Sequence, residues 1–247
     1  MENPALYFPI ATTVFSTAFA VVVLRRYWAA RGKLHLLWWG VGIALFGVGT
    51  LFESITTLAG WEEGVFRGWY ISGALLGGAP LAQGTVYLLL PRAAAHRLAI
   101  ALVVFVTLAA AAVLATPVDR SLAEEHRLSG EVIEWSWVRG LSPIVNTYAF
   151  IFLVGGAIVS ASRYRKQAAS SDRMWGNVLI AIGAILPGIG GIFTRFGVVE
   201  VLYVTELVGI VLIAIGYGYS VRERPPVAEA RPAGGPGVAG APIGRQR

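Results

Sequence analysis

The chain has no cysteine at all, which excludes a disulfide framework and any thiolate-based site and leaves the redox compartment unread. Charge is scarce too: 14% of its 247 residues are charged, where soluble domains carry about 25%. Histidine is limited to His35, His96 and His126. All three fall at the ends of apolar runs or in a connection, so no helix presents paired haem ligands and no His/Asp cluster indicates a membrane zinc hydrolase. The only lysines, Lys33 and Lys166, lie in connections. With none inside the last apolar run to form a Schiff base, a retinal pigment is excluded. There is no Ser/His/Asp arrangement and no phosphate-binding loop. The chain is therefore expected not to be an enzyme, and no cofactor or metal is expected.

What remains is apolar. Hydrophobic residues make up 56% of the chain, and the few charges fall between long uncharged stretches. Runs of about 18 or more apolar residues are candidate membrane helices. Seven such runs are readable, at about 7–24, 36–59, 69–90, 98–116, 141–161, 175–193 and 198–220. The expected fold is all-α: a polytopic seven-helix membrane domain over residues 1–221. The opening residues, MENPALYFPIATT, lack the basic segment of a signal peptide, so the first run is expected to be kept as a helix. The stretch 222–247 is rich in Pro, Gly and Ala without aromatics and reads as a disordered tail.

The net charge of +6 is a matter of sidedness, not of a nucleic-acid partner. Fifteen of the 20 basic residues sit in alternate connections and the tail, among them Arg25, Arg26, Arg31, Lys33, Arg92, Arg97, Arg163, Arg165, Lys166 and Arg173. The opposite connections are acidic, with Glu62, Glu63, Asp119, Glu124, Glu125, Glu131 and Glu134. Positive connections stay in the cytoplasm. The expectation is an N-terminus outside, a C-terminus inside, and residence in the bacterial cytoplasmic membrane, with some affinity for anionic lipid. All eight tryptophans lie at or near the ends of the runs or in connections, which reads as an aromatic belt.

One connection is long. In residues 117–140, Ser121 and Glu124 have capping-box spacing for a short surface helix. The segment is either a solvated loop on the membrane or a lid over an outward-facing cavity. The sequences around 26–47 and 164–184 echo each other, with Arg-Tyr, a polar linker, Trp-Gly and glycine-spaced apolar residues. Parallel repeats of three helices about a central fourth would account for this. Recurrent glycines such as Gly40, Gly42, Gly47, Gly49, Gly209 and Gly216 allow close helix approach where no hydrophobic effect drives association. Pro80 and Pro187 each remove a backbone donor inside an apolar run, so both helices are expected to kink or open there, as static bends or as hinges.

The residues able to carry chemistry are few. At 1.5 Å per residue, Glu53 on the second run lies roughly 10 Å below the outer surface and Glu206 on the seventh roughly 12 Å. Asn146 and Tyr148 on the fifth run, and Thr12 and Thr13 on the first, reach a similar level, and Tyr203 sits one turn above Glu206. A carboxyl group in hydrocarbon costs about 2.5–3.5 kcal/mol on insertion scales, so such groups face a bundle interior or a hydrated cavity. Two readings stand: an outward-facing pocket for a cation, a proton or a small polar ligand, or two separate acids hydrogen-bonded as interhelical glue. Gln83 and Tyr87 on the third run either extend a polar path inward or bond neighbouring helices. Arg67 and Arg195 either pair with the acids or reach outward to the headgroups.

The stretch 53–89, with Glu53, Gly60-Trp61, FRGWY at 66–70 and QGTVYLL at 83–89, resembles segments of an uncharacterised family of bacterial seven-helix integral membrane proteins. The resemblance covers about a sixth of the chain and implies no activity. The expected functions are therefore a small-solute or ion transporter, a ligand-sensing membrane subunit, or an assembly partner in a membrane complex. The expected contacts are the lipid bilayer, a small polar ligand or cation, and a membrane protein partner or a second copy.

Overall fold

The computed structural model describes residues 4–165, 171–194 and 196–221. Glu2, Lys166, Arg195 and the tail from 222 onward lie outside them. Among the described residues the fold is helical, with only two isolated β-bridges. Helix α1 (Phe8–Ala29) and α2 (Leu34–Ala59) form the first pair. A short α3 (Glu63–Trp69) passes into a π-helical turn, Tyr70–Leu75, and is followed by α4 (Ala79–Leu89) and α5 (Arg92–Ala115). Beyond the long connection come α6 (Ser136–Arg139), α7 (Leu141–Ala149), a second π turn (Phe150–Gly155) and α8 (Gly156–Arg165). Helices α9 (Ser171–Thr194) and α10 (Val199–Val221) complete the fold.

Among the described residues six helical stretches are long and apolar enough to cross a membrane: Pro4–Ala29, Leu34–Ala59, Arg92–Ala115, Ser136–Tyr164, Asp172–Thr194 and Val199–Val221. These match six of the seven apolar runs. The third run, 69–90, is helical but divided. Pro80 has no N–H and its ring would clash one turn back, so it begins a new helix in the first turn of α4, where neither matters. The break at Leu76–Gly78 turns at Gly77, whose φ of +38° is costly for a side-chain-bearing residue. The expected opening at Pro80 is thus a full interruption, whereas α9 runs unbroken through Pro187.

Glycine seams set the helix spacing. On α9 and α10, a Cβ added at Gly176 would lie 2.7 Å from Gly216 O, and one at Gly183 would lie 2.6 Å from Gly209 O. Each two-turn step along α9 is answered by a two-turn step back along α10. Only hydrogen fits at such separations, so the backbones touch directly. Gly209 also makes room for the Pro187 ring, 3.2 Å from where its Cβ would be. Gly47 packs in the same way against Ser16 of α1, and Gly42 against Leu81 of α4. The main core gathers Phe19, Val23, Ile43, Leu75, Leu153, Ile210 and Tyr217 at the centre of the bundle.

Helix α5 packs on the rest along one side only, burying Ala95, Ala99, Leu102, Ala109 and Val113. Its other side exposes Ile100, Val104, Leu108 and Leu114. Contiguous exposed apolar side chains of this kind are ill-suited to water but suit hydrocarbon.

Connection 116–140 is a folded cap. Val132, Ile133, Leu128 and Val138 bury themselves against Phe66, Tyr70 and Val113, with Trp61 and Trp69 at the edge. Asp119, not Ser121, caps its first turn by accepting from the Ser121 N–H at 2.9 Å. The Ser121–Glu124 capping box is therefore not formed. Glu124 instead pairs with Arg127 at 2.7 Å. Arg67 reaches neither buried acid. It pairs with Glu63 at 2.9 Å and donates to the carbonyls of Val113, Leu114 and Thr116 at the C-terminus of α5, where a cation complements the helix dipole. Glu63 also meets Arg120 at 2.7 Å. The Arg120 and Arg67 guanidinium groups hold its carboxyl below the usual glutamate range.

Candidate functional site

Glu53 and Glu206, on helices far apart in sequence, meet in the bundle. The contact begins with two glycines. A Cβ at Gly49 would lie 3.1 Å from Gly73 Cα, so α2 and the π turn touch backbone to backbone. One turn further along each element stand Glu53 and Trp69. The Trp69 indole N–H donates to Glu53 Oε1 at 2.8 Å. From the other side Glu206 of α10 brings its carboxyl within hydrogen-bonding reach of that of Glu53. Glu53 is 2% exposed and Glu206 9%.

Two ionised carboxylates only accept hydrogen bonds, so a bond between these groups needs a proton on one of them. Two oxygens express the same need: Glu53 Oε2 and Glu206 Oε2 are both buried and neither meets a donor among the described residues. A shared proton, or a cation in its place, satisfies both. Tyr203 lies buried against the pair and against Thr57. Thr50, one turn from Glu53, bonds Thr13 of α1 at 2.9 Å. Thr12 bonds back to Phe8 O of its own helix.

The acids form part of the wall of a cavity of about 1080 Å³. Asn146 shares that wall and explains the break in the third run. Its Nδ2 donates to Ala74 O at 3.1 Å, a carbonyl of the π turn. Its Oδ1 would lie 2.9 Å from a Cβ at Gly77. Gly73, Gly77 and Gly78 line the cavity, so backbone at the interruption faces it. Pro187 and Thr194 contribute from α9, and Leu128, Ser129, Gly130 and Glu131 from the cap. With Arg139 at the end of α6, the connection that sequence reads as either a surface loop or a lid thus contributes five residues to the cavity wall.

The expected site residues divide. Glu53, Glu206 and Asn146 come together, with Tyr203 behind the acids. Tyr148 turns elsewhere: its hydroxyl donates to Gln83 Oε1, while Gln83 Nε2 donates to Ala95 O at 3.0 Å. That chain ties α7 to α4 and α5. Tyr87 bonds His96 Nδ1 at 2.8 Å. Gln83 and Tyr87 therefore bond neighbouring helices and do not extend a path from the acids. Pro80 is buried in the first turn of α4. Trp69 is the residue that sequence reasoning misses, because a tryptophan near the end of an apolar run reads as belt. Trp28, Trp135, Trp137 and Trp175 are exposed as a belt requires, whereas Trp69 turns inward to the acid and Trp39 packs on His35 and Tyr217. The nearby Gly49 and Gly73 are the available signal.

A second cavity, of about 340 Å³, opens at the opposite end of the bundle. Leu81, Leu153 and Ile213 line both cavities, so these three apolar side chains from three elements lie between them. Among the described residues no three His, Asp or Glu side chains come together to hold a metal ion. Comparisons with protein-family models, with curated proteins and with solved structures find no match.

Proposed function

We propose that the protein is a multi-pass protein of the bacterial cytoplasmic membrane that carries a small cation or cationic solute in exchange for the proton shared by Glu53 and Glu206. The divided third run makes a seventh crossing, with the cap outside and the basic connections in the cytoplasm, as the positive-inside rule requires. The observation that carries this reading is the carboxyl pair, each with a buried oxygen lacking a donor, in the wall of a large cavity. Ionisable groups inside a membrane domain mark ion and proton pathways. An interrupted helix lining the same cavity is in keeping, since non-helical backbone is tolerated at membrane depth only where it is buried in protein or faces a cavity. Leu81, Leu153 and Ile213 line both cavities, an arrangement in keeping with alternating access across an apolar partition.

The test is flux in proteoliposomes loaded with a pH-sensitive dye and challenged with Na⁺, K⁺ or methylammonium. Cation-driven proton movement is expected, with Glu53→Gln and Glu206→Gln each lowering it at least tenfold. Equal flux in both variants removes the proposal. Cation binding by the purified protein without flux favours instead a ligand-sensing subunit built on the same pocket.

A further inference from the structure

The second cavity has a chemistry of its own. Its mouth carries Arg26 from the end of α1, Lys33 from the α1–α2 connection and Arg173 from the start of α9. Arg26 and Lys33 flank one short connection, and Arg173 comes from a distant part of the chain. None of them forms an ion pair among the described residues, and no described carboxylate lines the cavity. Deeper in, Phe19, Val23, Ile43 and Ala157 make an apolar floor. Between mouth and floor stands Tyr217. The residue is 9% exposed, and its hydroxyl is buried with no partner in hydrogen-bond geometry among the described residues, although the Arg26 guanidinium lies beside it.

We propose that this cavity binds an amphiphilic anion, a phosphate group carried on an apolar body. Arginine and lysine present a fork and a point charge suited to phosphate oxygens. The Tyr217 hydroxyl supplies a donor within reach of the mouth, and the floor takes the apolar part. Basic pockets between membrane helices hold lipid headgroups in this way. A volume of about 340 Å³ falls in the range of small-molecule sites. Positive-inside charge alone accounts for cations on connections. It does not account for a buried hydroxyl without a partner directly beneath them.

The inference is independent of transport. It is tested with the full chain in a neutral maltoside detergent, following tryptophan fluorescence, because Trp39 is in the cavity wall. The probes are octyl phosphate, inorganic phosphate and octyl glucoside. Octyl phosphate is expected to bind saturably and octyl glucoside not to bind. Arg26→Gln and Arg173→Gln should each weaken binding about tenfold, the scale of one charge-assisted hydrogen bond. Tyr217→Phe should weaken it a few-fold, while Arg25→Gln, at an exposed position outside the cavity wall, should leave it unchanged. Thermal melts of each variant confirm folding. Equal affinity for inorganic phosphate assigns the site to a free anion; a preference for octyl phosphate, reproduced by phosphatidylglycerol but not phosphatidylcholine in nanodiscs, assigns it to lipid. Absence of binding to both phosphates, or binding that the two arginine variants and Tyr217→Phe all leave intact, overturns the proposal.

Discussion

The two cavities differ in where they keep their charge. In the larger one the charged side chains that matter are deep: Glu53 and Glu206 are nearly inaccessible, and each depends on a neighbour, Trp69 or the other acid. In the smaller one the cations stand at the mouth and the depth is apolar, apart from Tyr217. A carboxyl group has a short stem and cannot reach water from inside a bundle, so it stays only if other groups satisfy it. Arginine and lysine have long stems and extend toward the nearest water. Burial of an acid therefore marks an interaction that the fold has built, whereas a rim of bases is what topology supplies in any case. The unpartnered Tyr217 hydroxyl is what separates the basic cavity from an ordinary cytoplasmic rim.

That contrast can be broken from the frame that both cavities share. Helix α10 walls each of them and is held by the glycine seam. Gly183→Leu would drive a side chain into Gly209 O, 2.6 Å from the added Cβ. The neighbour is backbone and cannot swing aside. The expected loss is about 3 kcal/mol or more, at the upper end for overpacking, read as a lowered melting temperature in detergent and loss of ligand response at both cavities. Normal stability in this variant would show that the seam is looser than its geometry.

A smaller change sharpens the comparison. Trp69→Phe keeps the aromatic bulk and deletes the N–H that Glu53 Oε1 accepts from. Leaving a buried acceptor unmet costs about 1–3 kcal/mol, so this variant should melt lower and also lose cation-driven flux. If the melt is unchanged, another donor serves Glu53. The matching deletion in the basic cavity is Tyr217→Phe. Its hydroxyl has no partner in hydrogen-bond geometry among the described residues, so stability should stay within about 0.5 kcal/mol of the parent, with the main effect on anion binding. Similar stability losses from the two deletions would erase the distinction between a satisfied acid and a waiting hydroxyl.

Much of this was legible before any coordinates. Six apolar runs are helices of spanning length among the described residues; Pro80 and Pro187 both mark runs expected to kink or open, and of the two only the run holding Pro80 is interrupted. The depth arithmetic, with the expected helix directions, puts Glu53 and Glu206 at a similar level, and the fold brings both into the wall of one cavity. Depth fixes only one coordinate, however. Asn146 and Tyr148 share a level, yet one faces the cavity and the other Gln83, because two residues along a helix is more than half a turn. Trp69 and Arg67 were misread for a related reason. Both lie near the end of an apolar run, where outward orientation is the general rule, and each is turned inward by a particular partner: Glu53 for one, the last carbonyls of α5 for the other. The seam glycines Gly176 and Gly183 lie in a chain so rich in glycine that their two-turn spacing acquires meaning only beside the same spacing on α10.

Sequence by itself determined the element type, the apolar runs of spanning length and the alternation of charge between connections, because these follow from composition and one-dimensional spacing. The partners were decided by tertiary structure alone: acid with acid, tryptophan with acid, cap with cavity, three apolar residues between two vestibules. Helix rotation and crossing set those contacts, and they depend on which glycines let two backbones touch, a property of pairs of helices that no single stretch contains.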